Sequence, residues 1–265
     1  MFKKFFSKRK KSSERNLFDE LFPLSETHKQ TIENSVNEIL IEMTGKDSFE
    51  ELKNYTRNYE SQEFKFQSLK FNSLSWKIAE NNSEQLVFIS QTGDSMQISV
   101  INPNGKLEKN ETEINVYKTW IRNLFIQQQG GLISCDNVIT PNRIDLYETI
   151  GKIPREDGPG IDYIYFLNIR NYQEQKLYQI WTKVLEMNPT GLRDNIIMHP
   201  ICDITGLDMG KVSELYRQDP YDKNISDGNR RNLSEMKDFD YLFPFHPLSI
   251  IRKEIKPALL NSLKF

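Results

Sequence analysis

Apolar and polar residues recur along this chain in two rhythms, and the places where one gives way to the other mark its elements. Between Asn110 and Gln129 the period is helical: Ile114, Tyr117, Ile121, Leu124 and Phe125 share one face, which Val116 and Trp120 widen. Asn110 is placed to cap this helix, Glu113 three residues on completes a capping box, and Gly130-Gly131 stops it. So wide an apolar face must cover a sheet.

Strand-like runs stand on both sides of it. Phe64 and Phe66 alternate with polar residues, as do Leu74, Trp76 and Ile78, and later Met96, Ile98 and Val100, while Leu86 to Ile89 is a compact apolar run. Beyond the helix, strands are expected at Leu132 to Ile139, Ile144 to Ile150, Ile161 to Ile169 and Leu177 to Leu185, with a polar turn at Pro154 to Gly160. Two further helices precede the first strand. One carries Ile32, Val36, Ile39, Leu40 and Met43 on a stripe that ends at Gly45; the other starts at Asp47, with Phe49, Leu52 and Tyr55 along one side. The pattern predicts an α+β protein, an antiparallel sheet flanked by helices. Four segments are expected: a basic, disordered arm at 1–16, a helical addition at 17–60, the α+β core at 61–200, and a C-terminal extension at 201–265 packed on the core.

Trp76, the run Ser90-Gln-Thr-Gly-Asp-Ser-Met-Gln-Ile-Ser99, Gly130-Gly131 and Asn188-Pro-Thr-Gly-Leu-Arg-Asp194 resemble bacterial proteins with the PsbP/DcrB-like fold. The resemblance spans about Phe64 to Ile197. It implies an α/β/α sandwich and small adaptors, accessory subunits or lipoproteins that generally carry no chemistry of their own. The later stretches Tyr216-Arg-Gln-Asp-Pro-Tyr-Asp222, Asn232-Leu-Ser-Glu235 and Phe243-Pro-Phe-His-Pro-Leu-Ser249 resemble a bacterial group with no known activity, and imply a clasp on the sheet.

Charge changes this picture at one end only. Over 265 residues, 35 Lys and Arg nearly balance 37 Asp and Glu, which excludes a whole-protein field suited to nucleic acid. Lys3, Lys4, Lys8, Arg9, Lys10 and Lys11 nevertheless crowd the start among Phe2, Phe5 and Phe6, a combination suited to peripheral contact with an anionic membrane surface. No apolar run is long enough to cross a bilayer, and Phe5-Phe6 is too short for a signal-peptide core, so a cytoplasmic location at or near the inner membrane is expected. Cys135 and Cys202 lack CxxC partners, which argues for reduced thiols and against a structural zinc.

Candidate chemistry is sparse. Thr190 to Asp194 follows a predicted strand and opens a helix, so Arg193 and Asp194 are the first place to look if the fold holds a ligand, although a structural bridge from Arg193 to Asp194 or another carboxylate is the leading reading. His199, His246, Asp219 and Asp222 form an alternative set for a hydrolase or metal-dependent enzyme. A calcium loop counted from Asp222 fails, because Asp227 stands where Gly is needed and Leu233 where Glu is needed. Tyr163, Tyr165, Phe166, Tyr172, Tyr178 and Trp181 read as core packing, since few cations are interleaved with them. No nucleophile elbow and no P-loop occurs. The expectation is a non-enzymatic protein-binding module, of adaptor, immunity or secretion-accessory type, with no cofactor and an unknown protein partner.

Overall fold

The structure is a computed structural model that describes residues 26–45, 62–103, 105–107, 113–186, 191–215, 217–222 and 224–265. The basic arm, the helix expected from Asp47 and the Asn110 cap lie outside the described residues.

Helix α1 (Glu26–Thr44) buries Ile32, Val36 and Leu40, and Gly45 ends it at φ 81, donating its N–H to Ile41 O at 2.8 Å. A hairpin of β1 (Gln62–Phe66) and β2 (Leu69–Ser73) follows, then β3 (Lys77–Asn81), β4 (Gln85–Ile89) and β5 (Ser95–Ile101). Leu74, Trp76 and Ile78 do not share one strand as their alternation predicts. Ser75 at φ 59 breaks the chain between β2 and β3, a local backbone choice that side-chain period cannot reveal. Helix α2 (Glu113–Gln127) then leads to β6 (Gly131–Ile139), β7 (Asp145–Pro154), β8 (Ile161–Asn171) and β9 (Lys176–Leu185).

Seven strands make one antiparallel sheet in the order β3-β4-β5-β9-β8-β7-β6. Two meanders, β3 to β5 and β6 to β9, therefore meet at β5 and β9, and α2 carries the chain from the middle of the sheet to its far edge.

The remainder of the chain consists of α3 (Leu192–Thr205), α4 (Met209–Leu215), the short pair β10 (Arg217–Gln218) and β11 (Arg231–Asn232), two 3-10 turns, and a final helical run. That run is α5 (Pro247–Ile250), a π turn at Ile251–Ile255, and α6 (Lys256–Ser262). It covers one sheet face: Leu248, Ile251, Ile255 and Leu259, together with Phe66, Leu69 and Phe71 of the hairpin, pack on Phe88, Ile98, Tyr165 and Ile180. Lys264 pairs with Lys70 to fasten the chain end to β2. On the other face Tyr117, Ile121 and Phe125 of α2 pack on Leu132, Cys135, Tyr147, Ile164 and Phe166. A third cluster joins α1 to α3, α4 and residues 233–243. The chain is thus α+β with its sheet between helical layers, and α3 runs through residue 200, so the boundary expected there falls inside a helix.

The α2 stop is built differently from its sequence signal. The left-handed residue is Gln129 at φ 56. The glycines are needed for close approach: a Cβ on Gly130 would lie 2.2 Å from Lys152 O, and one on Gly131 1.9 Å from Asn229 O.

Candidate functional site

The segment Gly191 to Asp194 opens α3 as expected, but what it presents is turned inward. Arg193 is 1% exposed. Its Nε donates to Ser234 O at 2.6 Å, and its Nη2 donates to Met236 O at 2.9 Å and to Asp240 Oδ1 at 3.0 Å. A buried guanidinium needs its donors filled and its charge paired, and here the chain supplies both. Arg193 is therefore a structural cation. The helix start is also taken internally, because Gly191 N–H donates to Glu186 Oε1 at 3.1 Å. Asp194 accepts from Asn232 Nδ2 at 2.8 Å and from the Ser234 hydroxyl, and it borders an open cleft of about 540 Å³ with Gln129, Ile161 and Asn229.

Around Arg193 the C-terminal stretches assemble a continuous polar network. Asn232-Leu-Ser-Glu235 is a capping box: Glu235 N–H donates to Asn232 Oδ1 and Asn232 N–H to Glu235 Oε2. Glu235 Oε1 lies 2.7 Å from Lys152 Nζ, with both side chains 1% exposed. Arg252 binds Asp240 and Glu235 O, closing the final helical run onto the same segment.

His246 caps α5, where Nδ1 accepts from Leu248 N–H at 3.2 Å and Pro247 occupies the first turn. Burial, then the nearby charges of Arg193, Arg252 and Lys152, hold its pKa well below the usual 6.5, so the ring is neutral at pH 7 and its proton sits on Nε2. The 3.7 Å approach of Nε2 to Glu186 Oε1 is accordingly not a contact between full charges, and burial raises the Glu186 carboxyl.

The alternative His/Asp set does not converge. His199 is exposed on α3, whereas the His246 ring is turned inward against Tyr163, with 5.0 Å between the centroids of those two rings. Asp219 binds Arg122 through both oxygens at 2.8 and 2.9 Å and accepts from the backbone N–H groups of Tyr221 and Asp222. Asp222 accepts from Asn224 N–H. These are turn-forming roles. Among the described residues no group of His, Cys, Asp and Glu is arranged to hold a metal ion, and no helix is long and apolar enough to cross a membrane.

The same turn acts as a clasp on one sheet edge. Cys135 N–H of β6 donates to Tyr221 Oη at 2.6 Å, and Tyr221 Oη–H donates to Cys135 O at 3.1 Å, filling backbone groups that an edge strand leaves open. Burial pushes the Cys135 thiol up to about 11, so it stays protonated.

The accessible feature lies toward the opposite edge. Strands β7 and β8 are buried on both faces, whereas β4, β5 and β9 alternate between buried and accessible positions. Alternation means that one face has no covering layer. On the α2 side of the sheet, that helix covers the β6, β7 and β8 half, leaving β9, β5, β4 and β3 open among the described residues.

Cross-strand register orders this open half in rows: Lys77, Ile89, Ser95 and Lys183; then Glu80, Val87, Gln97 and Trp181; then Gln85, Ser99 and Gln179; then Ile101 and Leu177. Ile89 and Ile101 are 44% and 40% exposed. Trp181 stacks on Phe166 at 4.0 Å, so the aromatic layer under α2 continues outward. Tyr163, Tyr165, Phe166 and Tyr178 are core, as their polar neighbours suggest, but Trp181 is only partly buried.

Helix α2 itself is not wholly committed to the core. Val116 is 69% and Trp120 46% exposed, which corrects the expectation that both widen its buried face. Lys118 and Arg122 lie on the clasp flank, against Tyr221 and Asp219. Glu113 reaches Arg170 of β8 at 3.1 Å from the other flank, and Val116 and Trp120, three and seven residues on, share its side. That flank points away from the clasped β6 edge, toward the open half-sheet. Residue spacing alone shows an apolar arc but not its centre. The wet face of β5 and β9 has a signal in the sequence, the alternation of Gln97 and Gln179 with Ile98 and Ile180.

The fold and its accessible surface define an α+β protein whose antiparallel sheet is half-covered among the described residues. No family model matches the chain, and no curated protein is significantly similar to it. Among solved structures it is similar to the Ran-binding protein Mog1p of Saccharomyces cerevisiae, at 10% identity and a TM-score of 0.39 over 58% of this chain and 94% of that one. It is also similar to a protein of unknown function from Pseudomonas aeruginosa, at 10% identity and a TM-score of 0.31 over 47% and 83% of the two chains. At TM-scores below 0.5 the architecture is read from the chain's own topology.

Proposed function

We propose that this chain is a non-enzymatic protein-binding module, an adaptor, immunity-type or secretion-accessory protein that works at the cytoplasmic face of the inner membrane with its basic arm on the lipid surface. The observation that carries the reading is the open half-sheet beside α2, where Ile101, Ile89, Val116 and Trp120 are exposed and Trp181 is partly so, among the amides and hydroxyls of Gln97, Ser99 and Gln179, with Lys77, Lys183 and Glu80 in the rows at one end. Mixed surface of this kind, apolar side chains interspersed with uncharged polar ones, is what protein interfaces bury. The PsbP/DcrB-like resemblance adds support, since it implies adaptors. The His/Asp set gives no comparable support to a hydrolase, because Asp219 and Asp222 serve turns, His246 caps a helix and His199 is exposed on α3. The test is affinity capture of the native chain from its own cells, followed by reconstitution of the complex from purified components. A stoichiometric complex on size-exclusion chromatography is expected; failure of every captured protein to reconstitute refutes the proposal.

A further inference from the structure

Resting on that reading, we infer that the open half-sheet is the seat of an amphipathic α-helix from a partner protein, laid beside α2, with carboxylates at the end that meets Lys77 and Lys183. Three features of the fold define this occupant. The first is size. From the Ser95 row to the Ile101 row is six residues of strand, about 20 Å, which matches a helix of about 13 residues. Four open strands span about 14 Å, room for a helix about 10 Å across.

The second is continuity. α2 already packs as a helix on this face, and the Phe166–Trp181 stack carries the same aromatic layer out from beneath it. Val116 and Trp120, exposed on the flank of α2 away from the clasp, are side chains that a neighbouring helix would bury. An added strand fits less well. The edge strand among the described residues, β3, is bulged between Ile78 and Glu80 and carries Lys77, both of which hinder edge pairing.

The third is charge. The row at one end holds two cations either side of Ile89 and Ser95; Lys183 Nζ stands 3.8 Å from Asp162, a loose pair, and Lys77 is exposed. The remaining rows are neutral apart from Glu80 at the rim. A stripe of apolar and uncharged polar residues with acidic residues at one end complements this surface.

The experiment places p-benzoylphenylalanine at Ile101 or Val116 and, as controls, at Ile139 and Met43, which are exposed elsewhere. Each full-length protein is photolysed in its own cells, and the adducts are mapped by mass spectrometry. Adducts from Ile101 and Val116 are expected on one helical segment of another protein, about tenfold above the controls. The double variant Lys77→Glu, Lys183→Glu should lower their yield about tenfold, since like charges at an interface discriminate strongly.

Adducts from Ile139 or Met43 alone overturn the seat and leave the protein-binding proposal standing. Adducts to an extended segment, to this chain's own residues 46–61 or to a second copy overturn the helical partner. A yield unmoved by charge reversal overturns the assigned acidic end. No adduct at any position removes both proposals.

Discussion

Removing the Glu235 charge should leave Lys152 as an unpaired ammonium in the core. The two groups lie 2.7 Å apart and both side chains are 1% exposed, on strand β7 and on the 3-10 turn that closes the C-terminal clasp. At an effective dielectric of about 20 their attraction is about 6 kcal/mol, an amount offset by a desolvation penalty of several kcal/mol for each ion. The intact pair therefore contributes little net stability, but either partner alone keeps its penalty. Glu235→Gln and Lys152→Met should each cost about 3–5 kcal/mol. The side-chain amide introduced by Glu235→Gln retains an oxygen for Asn232 N–H, so in the double variant the cap survives and no charge is buried. That variant should lie within about 2 kcal/mol of the original, far from the sum of the single losses. Urea unfolding followed by far-UV circular dichroism gives all four midpoints, with unchanged slopes confirming comparable transitions. Additive single losses, or a Glu235→Gln loss below about 1 kcal/mol, would show that the pair is not the buried unit described.

Three other outcomes follow from particular residues. Because the folded-state pKa of His246 is depressed, the unfolded chain binds more protons below pH 6.5, so its contribution to stability is present above that pH and is lost as pH falls. His246→Asn keeps a cap on Leu248 N–H and should flatten the decline in unfolding free energy between about pH 7 and 5.5; an unchanged decline would assign it elsewhere. A Cβ at Gly151 would lie 2.3 Å from the Phe125 ring, so Gly151→Ala should destabilise by about 1–3 kcal/mol in the same urea assay, and a neutral effect would mean that α2 shifts freely on β7. Binding to vesicles should require anionic lipid and vanish on deletion of residues 1–15 in a sedimentation assay; equal binding by the truncated chain would rule the arm out as the anchor.

Much of the fold was legible because period is a local property. The alternation of Met96 with Ile98 and the helical recurrence of Tyr117, Ile121 and Phe125 located β5 and the body of α2, and Gly45 marked the end of α1. The break at Ser75 escaped, since a single left-handed residue leaves no mark on side-chain pattern. The site was less legible. Arg193 offered a guanidinium after a strand, which suits an external anion as well as an internal one, and only its proximity to Ser234, Met236 and Asp240, 41 to 47 residues further on, decided between them.

By itself, then, the sequence determined which segments are helices and strands, that they form an α+β protein, and that its charge is nearly balanced. Tertiary structure alone decided where the layers stop. A helix covers about two strands' width, so on a seven-stranded sheet one helix leaves a margin, and strand order sets which strands form it. That order brings β9 next to β5, joining residues as distant in the chain as Ser99 and Gln179 or Ile101 and Leu177, and so collects Trp181, Val87, Ile89 and Ile101 on one surface beyond α2's Trp120.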